Sequence, residues 1–453
     1  MKNITARELA LLVGKAVEEE GAYANLALNK VLEQYQPGKL DRAFATELVY
    51  GVLRHLNTID WILAHFLKQP LASQTVWIRN ILRMGTYQIM FMPRIPDSAA
   101  CNESVNLAKK YGHAGAANFV NGVLRNVVRQ RDNLDFPDPE QDPVDFIALK
   151  YSHPTWLVER WLKEFGFSAT IALCQANNSP APNTVRTNTL KISRQELQAR
   201  LQDEGVKATV TAYAPEGLNL SGFLSYRSLT TFREGLFQVQ DESSMLVAHV
   251  LNPASGARVI DVAAAPGGKT THLAQLMGDS GQILAFDLYA HKLDLINDNC
   301  RRLGINSIQT KVADARDIHQ EYQGWADYVL VDAPCSGLGV LRRRPDARWR
   351  KDPCQLPGIV KLQKEILTSA SKCLRPGGVL VYSTCTISHE ENLGVVEDFL
   401  ANHPEFSLGD LRQFLPPGLD REATAARGYL QLLPHVHGMD GFFLARLRKK
   451  GFE

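Results

Sequence analysis

At 453 residues the chain is too long for one hydrophobic core, and 45% apolar with 22% charged side chains is the balance of a soluble globular protein of two or three domains. A net charge of +2 does not by itself announce a nucleic-acid protein, because clustering of charge matters more than its sum. Seven cysteines without paired or metal-ligand spacing point away from a disulfide scaffold and a metal centre, and toward a reducing compartment, the cytosol.

The opening residues Met1 to Glu8 hold no apolar export segment, and the longest apolar stretch, Val76 to Met92, is broken by Arg79 and Arg83, so no membrane span is expected. Residues 1 to about 130 read as helix. Thr5 with Glu8 spells a capping box, and apolar residues recur at helical spacing, as at Phe44, Leu48 and Val52 and at Ile78, Ile81 and Leu82. Gln36-Pro37-Gly38 and Pro93 to Asp97 interrupt the pattern only briefly, which predicts a compact all-α bundle. His55, His65 and His113 stand alone and are expected to be structural.

Between Asp132 and Pro143 the composition shifts to Asp, Pro and Gln, the mark of a linker. A small α+β unit follows. Helices are predicted at Trp156 to Phe165 and Ala169 to Ala176 and strands at Asn183 to Thr187, Ala208 to Tyr213, Leu218 to Leu220 and Leu236 to Gln240. Ser193 with Glu196 caps a further helix, to about Asp203. The unit reads as an RNA-binding platform or a structural spacer, since it lacks the aromatic strands of the common single-strand RNA module.

From Asp241 strands and helices alternate, which predicts a parallel, doubly wound sheet. Strands are expected at Arg258 to Val262, Gln282 to Phe286, Ser307 to Val312, Tyr328 to Val331, Val379 to Ser383 and Phe442 to Leu447, with helices including Leu293 to Leu303 and Leu356 to Cys373. The first strand runs into Ala263-Ala264-Ala265-Pro266-Gly267-Gly268-Lys269, a small-residue turn opening a helix, where backbone can approach a ligand closely. Gly268-Lys269-Thr270 matches the end of a phosphate-binding P-loop. Ala263 in place of the first glycine, and Pro266 inside the loop, argue against an NTPase. Asp287 ends the second strand, placed for ribose hydroxyls, and Asp314 follows the third, where an adenine amino group could be held. Glycine turn, acid, acid in strand order describe an adenosine-containing ligand.

Two later strands each end in a cysteine: Asp332-Ala333-Pro334-Cys335 and Ser383-Thr384-Cys385. Two thiols at neighbouring strand ends can face one substrate. Just after the first lies the one dense basic run, Arg342, Arg343, Arg344, Arg348, Arg350 and Lys351, expected to hold phosphates.

With these motifs the sequence resembles the RNA cytosine-C5 methyltransferase family over about Gln238 to Arg448. The resemblance implies S-adenosyl-L-methionine as methyl donor, held by Ala263 to Lys269, Asp287, Asp314 and Asp332. It makes Cys385 the nucleophile at ring C6 and Cys335 the base or release residue, with no metal. Ser388 and Glu391 read as a capping box whose helix favours the Cys385 thiolate. The family often has cysteine where this chain has Ala263. The helical domain is similar to the antitermination factor NusB, and the order helical bundle, α+β unit, methyltransferase is that of bacterial members acting on small-subunit ribosomal RNA. The implied architecture is a NusB-like bundle (1–135), a small α+β subdomain (144–237) and a Rossmann-like α/β methyltransferase domain with an antiparallel edge strand (238–449), in a cytosolic monomer. The same chemistry on transfer RNA and a non-catalytic RNA-binding assembly factor are the alternatives.

Overall fold

The computed structural model describes residues 4–451; residues 1–3 of the opening segment read above lie outside them. The chain forms two compact units, 1–180 with 341–351, and 181–340 with 352–453. The division falls near 180, so the helices Pro143–Lys150, Thr155–Phe165 and Phe167–Asn178, part of which the sequence groups with the α+β subdomain, belong with the bundle.

In the first unit the helices Ala6–Glu19, Ala24–Tyr35, Lys39–Arg54, Leu56–Ala64, Val76–Phe91, Asp97–Tyr111 and Ala116–Gln130 enclose a core that includes Leu9, Leu48, Ile59, Ile81 and Leu124. Each helix contributes one apolar stripe, as the helical spacing requires. The opening capping box forms only by half. Thr5 Oγ1 accepts from Glu8 N at 3.2 Å, but the Glu8 carboxylate turns to Lys110 Nζ at 2.5 Å and the Tyr111 hydroxyl. His55 stacks on Phe91 with ring centroids 4.1 Å apart, a structural role. No described helix is long and apolar enough to cross a membrane.

The basic run belongs to this helical unit, and its expected role is corrected for the buried members. Arg348 is fully buried: Nη1 donates to Ser152 O at 2.9 Å and Asn178 Oδ1 at 2.7 Å, and Nη2 to Asn177 O at 3.0 Å. Trp349 Nε1 donates to Leu53 O at 2.8 Å, and Arg350 donates to Gly21 O at 2.8 Å and to Ala22 O. Leu53 and Asn177 lie in the last turns of their helices, where carbonyls have no partner within the helix. A guanidinium fork with five donors is suited to such groups. Arg342 is also buried, so Arg342 and Arg348 cannot reach a phosphate in this structure; Arg343, Arg350 and Lys351 are half-buried and Arg344 is exposed.

The second unit holds two sheets. Strands β1 (Asn183–Thr187), β2 (Lys207–Val210), β3 (Gly217–Ser221) and β4 (Phe237–Val239) form an antiparallel sheet in the order β2-β3-β1-β4. The Ser193–Glu196 capping box forms as expected. The larger sheet contains β5 (Arg258–Asp261), β6 (Gln282–Asp287), β7 (Ile308–Val312), β8 (Ala326–Asp332), β9 (Leu374–Thr384), β10 (Phe406–Leu408), β11 (Tyr429–Leu432) and β12 (Phe442–Lys449). Its order is β10-β12-β9-β8-β5-β6-β7, with β11 also on β12; β5 to β9 run parallel, and β12 is antiparallel to β9.

Alternate residues of the buried strands enter two cores. Val259, Ile283, Leu330 and Val381 pack with Leu273 and Ile296, while Ile260, Leu284, Val329 and Leu380 pack with Leu367 and Val395. The sheet is thus covered by helices on both faces, which is why its central strands read as continuous apolar runs. Strand order reverses between β5 and β8, and ligands of such sheets bind at the carboxyl ends beside that point.

Replacing Arg348 with Met should destabilise the helical unit by about 2–4 kcal/mol, because it leaves buried carbonyls without donors. Urea unfolding followed by circular dichroism checks this; an unchanged midpoint would show that the guanidinium bonds contribute nothing net.

Candidate active site

Strands β8 and β9 are parallel neighbours in register, with Asp332 beside Ser383. Each chain leaves the sheet at the same edge, and Ala333 N donates to Ser383 O at 2.9 Å, so the two exits stay paired. Cys335 and Cys385 follow directly. Their sulfurs lie 3.4 Å apart, both as free, half-buried thiols. The loop after Cys335 is fastened back, Gly339 N donating to Cys385 O at 3.0 Å and Gly441 N to Gly339 O at 2.8 Å. A Cβ on Gly339 would fall 1.9 Å from Gly441 O, so only glycine permits this approach.

The two thiols are inequivalent. The hydrogen bond with Cys335 draws the Cys385 thiol below its ordinary range despite burial, and the positive charge of Lys269 acts in the same sense. Cys335 is pushed well above, first by that hydrogen bond, then by burial and by the negative charges of Cys385 and Glu391. Lys269 Nζ sits 2.7 Å from Asp332 Oδ2 and over the Phe442 ring at 5.2 Å; Ser383 Oγ donates to Asp332 Oδ1 at 2.9 Å. Burial would lower the Lys269 ammonium, but the Asp332 carboxylate more than offsets it. Behind them Asp261, at the end of β5, is buried and pushed up to about 7 by desolvation and the nearby Asp332 charge, although Thr270 Oγ1 donates to it at 2.7 Å.

Sequence reading misassigned Glu391. No capping box with Ser388 forms; a three-residue turn, His389–Glu391, follows, and the helix starts only at Leu393. The helix-terminus support expected for the Cys385 thiolate is therefore corrected. The fully buried Glu391 carboxylate instead accepts from Ser336 N at 2.7 Å, Ser336 Oγ at 2.5 Å, Thr386 Oγ1 at 3.2 Å and Gln363 Nε2 at 3.2 Å. Ser336 and Thr386 are the residues just after the two cysteines, and their hydroxyls also touch at 2.8 Å. One carboxylate thus ties both cysteine loops together. The signal was a Glu three residues after a Ser; the partners that displace it include Ser336, on another strand's loop, and Gln363, on the helix Leu356–Cys373, and a local pattern cannot show either.

The remaining expected residues stand along the same edge. Ala263 to Lys269 form the turn from β5 into the helix Gly268–Leu276, and Gly267 takes a positive φ of 94°. Asp287 closes β6, nearly buried, with its carboxylate accepting from Tyr289 N at 3.1 Å. Asp314 lies just past β7, clasped by the Arg316 guanidinium at 2.6 Å, which holds its carboxyl below the usual range. Cys101, Cys174, Cys300 and Cys373 are buried and Cys354 is exposed. Among the described residues one group, Glu216 with His249 and His272, has the atoms to hold a metal ion.

Alkylation by iodoacetamide near neutral pH should modify Cys385 before Cys335, and Cys335→Ala should slow the Cys385 reaction by removing its hydrogen-bond partner. Peptide mass spectrometry reads the order; faster modification of Cys335 would reverse the assignment.

Three known sequence families match successive parts of the chain: the NusB family at 4–129, the ferredoxin-like domain of RsmF/B-like methyltransferases at 153–227, and 16S rRNA methyltransferase RsmB/F at 248–448. A probable ribosomal RNA small subunit methyltransferase B of Bacillus subtilis is 38% identical with all of both chains covered. The ribosomal RNA small subunit methyltransferase B of Klebsiella pneumoniae is 33% identical over 99% of each. Among solved structures, PH0851 superposes with a TM-score of 0.82 over 99% of each chain at 28% identity. NSun6 from Pyrococcus horikoshii, solved with SFG, gives 0.59 over 65% of this chain and 98% of that one, also at 28% identity. Fold, motifs and full-length likeness agree, and the chain belongs to the 16S rRNA methyltransferase RsmB/F family.

Proposed function

We propose that this enzyme transfers a methyl group from S-adenosyl-L-methionine to C5 of one cytosine in small-subunit (16S) ribosomal RNA, through a covalent bond between Cys385 and ring C6. We further place it in the cytosol as a monomer, with domains at 1–135, 144–237 and 238–449, of which the helices before 180 pack with the bundle. The observation that carries the reading is the contact at 3.4 Å between two unlike thiols at the carboxyl edge of a parallel sheet.

Cytosine C5 is a weak nucleophile. Addition of the Cys385 thiolate to C6 forms a C–S bond and turns the ring into an enamine whose electron pair is available at C5. Asp332, fixed by Ser383 and Lys269, is the group we assign to hydrogen-bond the ring edge during addition. S-adenosyl-L-methionine supplies an electrophilic methyl on a sulfonium. The Ala263–Lys269 turn, Asp287 and Asp314 are assigned to hold it, a set that fits because small residues leave backbone accessible and acids stand at successive strand ends.

The C5 proton must then leave. Two of the influences that keep Cys335 protonated are its hydrogen bond to Cys385 and the negative charge on that sulfur. Once Cys385 is bonded to carbon the charge is gone and the hydrogen bond, now to a thioether sulfur, is weak. Cys335, having released its own proton to solvent, takes the C5 proton; the C–S bond breaks, the C5–C6 double bond returns and Cys385 departs as thiolate. Arg343, Arg344 and Lys351, which are not buried, remain the candidates of the basic run for RNA phosphates. The target base is assigned to be turned out of its stack.

Cys385→Ala should lower methyl transfer by roughly a thousandfold or more while leaving donor binding intact. Cys335→Ala should accumulate a protein–RNA adduct that survives denaturing electrophoresis; normal turnover by that variant would refute its release role. Bisulfite mapping of cellular RNA with and without the gene should show one cytosine lost from 16S RNA, whereas a loss from transfer RNA alone would reassign the substrate.

A further inference from the structure

Away from the cysteines, the second unit contains a buried cluster that the methyl-transfer chemistry does not use. Glu216 directly precedes β3, His249 lies on the helix Glu242–Leu251 and His272 on the helix Gly268–Leu276. The three come from separate elements, yet one ligand atom of each lies within 4.8 Å of the others. His249 Nε2 is 3.0 and 3.1 Å from the two Glu216 oxygens, and His272 Nε2 is 2.7 Å from Oε1.

His272 is fully buried, and neither ring nitrogen has a partner in hydrogen-bond geometry. Its Nε2 is close enough to Glu216 for such a bond but is not aligned with it. That misalignment is expected where two ligands point at a common centre rather than at each other. An ion about 2.0–2.2 Å from imidazole nitrogen and carboxylate oxygen in tetrahedral geometry sets its ligands roughly 3.3–3.6 Å apart. The glutamate–histidine separations of 2.7–3.1 Å are shorter, so the three side chains spread by a few tenths of an ångström to take up an ion.

We infer that Glu216, His249 and His272 bind one divalent transition-metal ion, zinc by preference. Two imidazoles and one carboxylate select a borderline-soft ion over magnesium or calcium, which want oxygen ligands. They leave a fourth position for water. A metal needs deprotonated ligands, and a carboxylate facing two imidazoles can supply them. The nearby Arg186 charge opposes a cation, and the Glu216 carboxylate offsets it. Bound there, the ion would link the turn before β3 to two helices of the larger sheet.

The test uses full-length protein stripped with a chelator and titrated with Zn2+ and with Co2+. One equivalent should bind, with Co2+ giving visible bands of a nitrogen and oxygen site without sulfur-to-metal absorption, and Zn2+ should raise Tm. His272→Gln should weaken binding by at least about tenfold and abolish the Tm rise. His249→Gln, at a partly exposed position, should do the same if the buried variant does not fold. Failure of wild-type protein to take up an ion, equal uptake by wild type and both variants, or thiolate bands that place the ion on cysteines would each overturn the inference. None of these readouts depends on methyl transfer.

Discussion

The methyl-transfer chemistry proposed for this enzyme depends on two sulfurs being held 3.4 Å apart without a bond between them. Parallel pairing of β8 with β9 sets the coarse position by placing Asp332 beside Ser383. Fine position comes from three fastenings: the Gly339 approach to Gly441, the backbone bond from Gly339 to Cys385, and the Glu391 carboxylate grasping the residues after both cysteines. Four donors on one buried carboxylate make that junction costly to disturb, since each donor left without an acceptor pays its desolvation in full. The pair is thus rigid where a covalent intermediate needs precise placement.

Charge then distinguishes the two thiols. Lys269 lies on the Cys385 side, paired with Asp332; Glu391 lies on the Cys335 side. A thiolate and a thiol sharing one proton form a compact unit in which reaction at one sulfur changes the acidity of the other. This is a physical reason for a second cysteine beyond its proximity. Lys269 illustrates how a residue read only as part of a ligand-binding turn also serves the chemistry beside it, because the turn from β5 opens at the same edge as the β8 and β9 exits.

Much of this was legible from residues alone. Central strands of the larger sheet are buried on both faces and so announce themselves as apolar runs, and each of the six expected there is present. Strands β10 and β11 were missed because segments of three and four residues show no period of their own and exist by pairing with β12. Glu391 was misread because a capping box is a local pattern, and partners supplied by the Cys335 loop outweighed it. Arg348 of the basic run was misread for a related reason. Charge density suggested solvent and phosphate, but the carbonyls that end helices compete for the same guanidinium donors, and at Arg348 they win. In both cases the deciding partners were remote in sequence. Glu216, His249 and His272 escaped notice on the same ground.

The central claim, a covalent bond from Cys385 to the pyrimidine, is tested most directly with 16S RNA in which cytidine is replaced by 5-fluorocytidine. Fluorine cannot leave as a proton does, so after methyl transfer the adduct should persist, carrying the methyl group, and tandem mass spectrometry should locate the nucleotide on the peptide containing Cys385. Recovery of the nucleotide on Cys335, or of methylated RNA with no linked peptide, would contradict the account.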